Sequence, residues 1–306
     1  MSHRVALRLG EGDADRPVIG IADTSSDLNP CNAQFTGLID VLKQAIADAG
    51  GYPVRFPVMS LGEDLMKPSA MLYRNLMSME LEEQVRAYPI DGMVYLANCD
   101  KTTPASIMAA ASTDVPSILL MGGARSAPPF RGRPLGTGTD LWRALEDRRA
   151  GLLDDEGWAE LERTLACAGG GSCNTMGTAS TMSLVTETLG MALPGFTGVA
   201  AGSAEQARVA EATGRRIVEL TRADIRPHSI ITQEAIDNAA VVIAAIGGST
   251  NAIVHLAAIA GRLGRDASLE RFDRLWREVS LIANVEPSGA RLIQDLHAAG
   301  GLPTVM

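Results

Sequence analysis

The chain has 306 residues, 46% of them hydrophobic, enough for a large buried core and for one or two domains at roughly 150 residues each. Charged residues make up 21% and the net charge is −9, with the basic residues scattered and no Lys/Arg block, so the electrostatic footprint of a nucleic-acid binder is missing. The first residues, MSHRVALRLGEGDADRP, lack the apolar core of a signal peptide, and every later apolar stretch is cut by Gly, Pro or charge well short of the roughly 20 residues that span a bilayer. A cytoplasmic protein without membrane or nucleic-acid partners is expected.

PVIGIAD (17–23) reads as a strand, and after the turn-rich TSSDLNPCN a helical stripe carries Phe35, Leu38, Ile39, Leu42 and Ile46. Gly50-Gly51 ends that helix, YPVRFPV (52–58) is a second extended segment, and Ser69 to Tyr88 carries Met71, Leu72, Leu76, Met79 and Val85 at helical spacing. DGMVYLAN (91–98) reads as a buried strand, Thr103-Pro104 opens a helix with Pro in its first turn, and VPSILLMGG (115–123) is a further strand. Strands alternating with helices imply an α/β fold with a mostly parallel sheet covered on both faces.

Residues 124–140 hold Pro, Gly and Arg without periodicity and suggest a long surface loop. From Leu141 onward the pattern is mainly helical, with helices expected at Trp142 to Arg149, Asp155 to Ala166, Thr175 to Leu189, Ser203 to Thr221, Thr232 to Ile246, Ala252 to Leu263, Leu269 to Val279 and Pro287 to Ala299. No repeat, low-complexity tract or linker stands out. The expectation is one unit over 1–306, an α/β core at 1–140 with a mainly helical extension at 141–306.

Four cysteines, Cys31, Cys99, Cys167 and Cys173, are few for a disulfide scaffold, and a reducing compartment keeps them as thiols. In an open α/β sheet ligands gather beyond the carboxyl ends of the strands, and Cys31 and Cys99 each fall just past an expected strand. Cys173 lies in CAGGGSCNTMGTAST, a glycine-rich loop before a helix, where free backbone N–H groups favour anionic ligands. A single such cysteine is most simply a small buried hydrophobe; three at loop-to-helix junctions shift the weight to ligation. Zinc and iron–sulfur clusters are the usual thiolate-rich choices. No CxxC pair of the zinc type exists here, and Cys167 fits equally a helper and a spectator.

C-D-K-x-x-P-A-x-x-x-A (Cys99 to Ala109) resembles the first signature of the IlvD/Edd dehydratase family, which holds dihydroxy-acid, 6-phosphogluconate and sugar-acid dehydratases. DLNPCNAQF (27–35), GSCNTMGTASTM (171–182), AIGGSTNAIVHL (245–256) and PSGARLIQDLHAAGGLP (287–303) join it in the family's order. SLGEDLMKPSAMLYRNLMSME (60–80) resembles the sugar-acid branch more than the amino-acid biosynthetic one.

The resemblance implies Cys31, Cys99 and Cys173 as ligands of an iron–sulfur cluster, 2Fe-2S in preference to 4Fe-4S. It implies Glu63, Asp100 and a carbamylated Lys101 as ligands of a neighbouring Mg²⁺. A carbamate converts a poor metal ligand into a hard oxygen donor, and sharing a buried site is expected to depress the lysine's pKa. The activity implied is removal of water from a 2,3-dihydroxy acid or sugar acid to give a 2-keto-3-deoxy acid, in a homodimer or homotetramer. Family members continue for about as long again beyond the position of Met306, into a β-rich domain that supplies a serine base for C2. The chain therefore reads as the N-terminal portion, with no catalytic base assigned among its residues up to Met306 and little activity expected of it alone. Dihydroxy-acid dehydratase is the alternative within the family, and a non-catalytic metal-binding α/β module or structural zinc protein the alternative outside it. GGSTN (247–251) fits an anion contact or a tight helix junction, His255 a core histidine, and Met71, Met77, Met79, Met176, Met182 and Met191 core filler.

Overall fold

Four short apolar runs form the strands of one parallel sheet: β1 Val18–Asp23, β2 Tyr52–Pro57, β3 Gly92–Ala97 and β4 Ser117–Met121. This computed structural model describes residue 7, residues 9 to 13 and residues 15 to 306. The sheet order is β2-β1-β3-β4, with Val18 beside Tyr52, Ile19 beside Gly92 and Met93 beside Ser117. β1, β3 and β4 are buried throughout, as strands covered on both faces must be. β2, on the edge, carries Pro53 and Pro57, which an edge tolerates because no ladder donor is lost there.

Alternation along the strands divides the interior in two. Ile19, Ile21, Val94, Leu96, Ile118 and Leu120 face one side, against α1 Ile39–Asp48 and α7 Ala204–Arg222. Ala22, Met93, Tyr95, Ala97, Leu119 and Met121 face the other. That side is covered by α2 Arg74–Ala87, α3 Thr102–Thr113, α6 Thr178–Thr188, α9 Gln233–Ala245, α10 Asn251–Arg262 and α11 Leu269–Trp276. Helices from the second half of the chain thus close both faces of a sheet built from the first. The remaining helices are α4 Thr139–Arg149, α5 Asp155–Ala166, α8 Pro227–Ile230, α12 Ile293–Ala298 and α13 Gly301–Val305. Among the described residues no helix is long and apolar enough to cross a membrane.

Several expectations need correction. In α2 the buried stripe is Met77, Leu81 and Val85, while Leu76 and Met79 stand 48% and 49% exposed, as does Leu72, at 69%, in the 3-10 turn Ala70–Tyr73 just before it. The stripe read from the sequence follows apolarity alone, and here it mixes two faces of one helix. Met77, Met176, Met182 and Met191 are core residues; Met79 is not. Residues 124–140 are no free loop: a hairpin, β5 Pro129–Phe130 with β6 Arg133–Pro134, leads into buried Leu135, Thr137 and Asp140. The helix expected from Pro287 starts only at Ile293, because Gly289 packs against the backbone of Asn284 and Val285 in a turn. The short helices α8 and α13 have no counterpart in the sequence reading.

Candidate metal centre

The strand order reverses direction between β1 and β3, and at such a switch point the loops leaving the two strands diverge and open a crevice. Cys31 lies on the loop after β1 and Cys99 on the loop after β3. Both are buried, at 7% and 2% exposure. The glycine loop brings Cys173 to the same place. Its backbone is stitched on by hydrogen bonds from Gly171 N–H to Pro30 O, 3.0 Å, and from Ser172 N–H to Gly123 O, 3.0 Å. The sequence alone suggested that this loop's amides were free for an anion. Instead Gly171, Ser172, Asn174, Met176 and Gly177 all donate to acceptors within the protein.

The three thiols sense one another. Hydrogen bonding with Cys99 and then burial push the Cys31 thiol well up, with Cys99, Cys173 and Asp64 adding negative potential. Burial likewise raises Cys173, against the opposing pull of Arg125. Cys167 is exposed at the C-terminal end of α5.

Next to Cys99, the Cys99 Sγ to Asp100 Oδ1 distance is 3.5 Å. Lys101 Nζ donates to Asp100 Oδ2 at 2.5 Å and to Glu63 Oε1 at 3.1 Å. Glu63 is fixed further by Ser69 Oγ at 3.0 Å and Ala70 N–H at 3.1 Å. Lys101 behaves contrary to expectation. Burial does disfavour its ammonium, but the charges and hydrogen bonds of Asp100 and Glu63 outweigh burial, so its pKa is raised. Asp100 is raised by its own burial despite the lysine, and Glu63 is lowered because Lys101 and the Ala70 and Ser69 bonds overcome its partial burial.

Each thiol has a buried asparagine as its chain neighbour: Asn32, Asn98 and Asn174 are fully inaccessible. A primary amide both donates and accepts, so each can fasten two loops. Asn98 Nδ2 donates to Cys31 O at 2.9 Å and Gly123 O at 2.8 Å, and its Oδ1 accepts from Gly122 N–H at 3.1 Å. Asn32 Nδ2 reaches Thr24 Oγ1 at 2.9 Å, and Asn174 joins Thr137 N–H at 2.8 Å to Leu135 O at 2.9 Å. Sequence reasoning passed over all three, although the pairs C-N, N-C and C-N flank the thiols in plain view. It also passed over Asp64 and Arg125.

Three thiols and two carboxylates from four separate segments therefore surround one crevice. The chain belongs to the dihydroxy-acid/6-phosphogluconate dehydratase family. The pattern of that family's N-terminal region matches residues 16–306. The chain is 46% identical over 291 residues to an L-arabinonate dehydratase of Rhizobium leguminosarum, covering 95% of this chain and 50% of the relative. It is 41% identical to a D-xylonate dehydratase of Caulobacter vibrioides, over 95% of this chain and 49% of the relative. To a dihydroxy-acid dehydratase of Methanobrevibacter smithii it is 36% identical, over 99% of this chain and 57% of the relative. The chain spans about half the length of these family members.

The donor chemistry suits the groups this family membership implies. The Cys31 and Cys173 thiols, pushed up by their surroundings, would be relieved if a cationic iron centre took their protons' place, and Glu63 and Asp100 are hard oxygen donors of the kind Mg²⁺ takes. Lys101 as an ammonium is not a ligand; it already pairs with both carboxylates and would join them only as a carbamate. Among the described residues no three His, Cys, Asp or Glu side chains close on a point as ligands of a single ion do.

His255 is a core residue, at 0% exposure, as expected, but only half satisfied: Nδ1 accepts from Arg74 Nη1 at 2.9 Å and Nε2 has no partner. GGSTN forms a tight junction, with Gly248 against Thr181 and the Ile243 carbonyl, and Ser249 N–H donating to Thr181 Oγ1 at 3.0 Å. Met306, the position beyond which the resemblance places the serine base, follows α13 as an exposed residue. It lies in a shallow surface groove with Asn238, Val241 and Val305, and none of the thiols or their neighbouring carboxylates lines that groove, so Met306 itself is no part of the site.

Proposed function

We propose that this chain carries the metal-holding part of a hydro-lyase acting on a sugar acid, an aldonate with hydroxyls at C2 and C3, to give the 2-keto-3-deoxy acid. The observation that supports the reading best is the meeting of Cys31, Cys99 and Cys173 beside the Glu63–Asp100–Lys101 group. In it, the three cysteines hold an iron–sulfur cluster, 2Fe-2S by preference, and Glu63, Asp100 and carbamylated Lys101 hold Mg²⁺. These groups, when bound, supply Lewis acidity toward the oxygens of a hydroxy acid.

The chain's own residues do the rest by position. Asn32, Asn98 and Asn174 hold the thiol loops in place, burial keeps water from Cys31 and Cys99, and Asp100 ties the two donor groups together by adjoining both Cys99 and Lys101. No group near the thiols is assigned as the base for C2. The reading places that base beyond the position of Met306, in the half of the relatives that this chain does not span, so turnover by residues 1–306 alone should be small.

Anaerobic reconstitution with iron and sulfide, followed by metal analysis and visible absorbance, tests the cluster. Zinc bound in place of iron would turn the reading toward a structural module. Pentonates and a branched 2,3-dihydroxy acid, assayed together with the other half of a close relative, test the substrate. Preference for the branched acid would move the chain to the amino-acid biosynthetic activity.

A further inference from the structure

Arg125 follows the end of β4 and faces the thiols. Its side chain is 16% exposed. Nε donates to Gly171 O at 2.8 Å, and Nη2 donates to Asp64 Oδ2 at 2.8 Å while standing 4.0 Å from Cys31 Sγ. The main chain is held as well: Arg125 N–H donates to Ser172 O at 2.9 Å, and its carbonyl accepts from Gln294 Nε2 at 2.5 Å. A guanidinium is a rigid fork of five donors, so one planar group reaches three segments at fixed angles. Those segments are the Cys31 loop, the Glu63-Asp64 turn and the glycine loop before Cys173. Glu63 and Asp64, adjacent in the chain, are pinned to opposite cations, Lys101 and Arg125. Cys31, Asp64 and Cys173 outweigh burial and strengthen the guanidinium's hold on its protons.

We infer that Arg125 is the positioning residue of the thiol site. It clamps the three segments together and sets a fixed positive charge beside the sulfurs, which raises the electron affinity of the group they hold. The clamp stands on this geometry alone; the electron-affinity half rests on the iron–sulfur reading above. Thiolates around a cluster carry net negative charge and reduction adds to it, so a cation close by in a weakly polarisable interior favours the reduced form.

Three variants of the full chain test this: Arg125→Gln removes charge and fork, Arg125→Lys keeps the charge and loses the fork, and Asp64→Asn loosens one prong. In metal-free protein, hydrogen exchange should quicken at least tenfold in residues 62–66 and 169–173 for all three, with α7 unchanged as evidence that the fold is intact. Unchanged exchange in both segments of a folded Arg125→Gln or Arg125→Lys protein would overturn the clamp. In reconstituted protein, a dithionite titration should show Arg125→Gln with a reduced-to-oxidised ratio at least tenfold lower at a set potential, 59 mV for a one-electron couple, and Arg125→Lys close to the original. Equal potentials for Arg125→Gln and the parent would overturn the charge half. If the parent itself takes up no iron, the cluster reading fails and takes that half with it, while the exchange data still decide the clamp.

Discussion

The side-chain amide of Asn98 donates to the carbonyl of Cys31 at 2.9 Å, so the residue before one thiol holds the backbone of another. Asn98→Ala would orphan the buried Gly122 N–H and remove one of the donors to Cys31 O and Gly123 O, which keep Gln34 Nε2 and Ser172 N–H. Each buried polar group left unpaired costs about 1–3 kcal/mol. A loss of roughly 1–3 kcal/mol is expected, read as a lower urea midpoint at unchanged slope. Alanine at exposed Gln44 should cost under about 0.5 kcal/mol and serves as the control.

Serine at Cys31, Cys99 or Cys173 should remove the brown colour and the iron of anaerobically reconstituted protein, because a hydroxyl is a far harder and more basic ligand than a thiolate. Serine at Cys167, exposed on α5, should change neither. Bleaching by Cys167→Ser with colour kept in Cys31→Ser would contradict the arrangement.

His255 should make stability depend on pH. Burial, with the charges of Arg74 and Lys101 added, pushes its imidazole down to about 3. Unfolded, a histidine takes up its proton near 6.5. Below that pH the unfolded chain binds a proton that the folded chain refuses, so the full stability present above 6.5 is lost as pH falls towards 3. Between pH 7.5 and 5 this amounts to roughly 2 kcal/mol. His255→Gln keeps an acceptor for Arg74 and cannot charge, so its stability curve over that interval should be flatter; parallel curves would refute the assignment.

Gly123 has a φ of +77°, and a Cβ there would run into the carbonyl oxygen of Val199. Backbone at that contact cannot rotate aside. Gly123→Ala should therefore cost roughly 2–5 kcal/mol, the left-handed strain added to the clash, and a thermal melt would show it. Gly177→Ala, which meets nothing within 4 Å, should be mild by comparison.

Where burial runs all along an element, its pattern was plain in the sequence: β1, β3 and β4 are short apolar runs ended by turn residues, and α5 Asp155–Ala166 begins after Asp154, whose side chain accepts from Gly157 N–H at 2.8 Å. The three thiols were legible because strand ends and a glycine loop mark where an α/β sheet places its ligands. What was hidden depends on pairing across distance. Lys101 alone looks like a buried amine of lowered pKa, and its pairing with Asp100, joined by Glu63 from another loop, reverses the sign. Arg125 sits in a stretch without periodicity, and nothing local says that its fork ends on Gly171 and Asp64. The exposed face of α2, with Leu76 and Met79, misled for the opposite reason: apolar side chains imply burial only when something covers them.

The thiols come from loops that close only on a finished sheet, and this sets an order of events in the cell. An unfolded chain presents each sulfur singly, with no partner near enough to chelate, so on the proposed reading folding would precede any loading of the thiols. The asparagine fastenings are made by protein atoms alone and stand whether or not anything is bound. On the proposed cluster reading, a group that bound only the folded form would add to its stability.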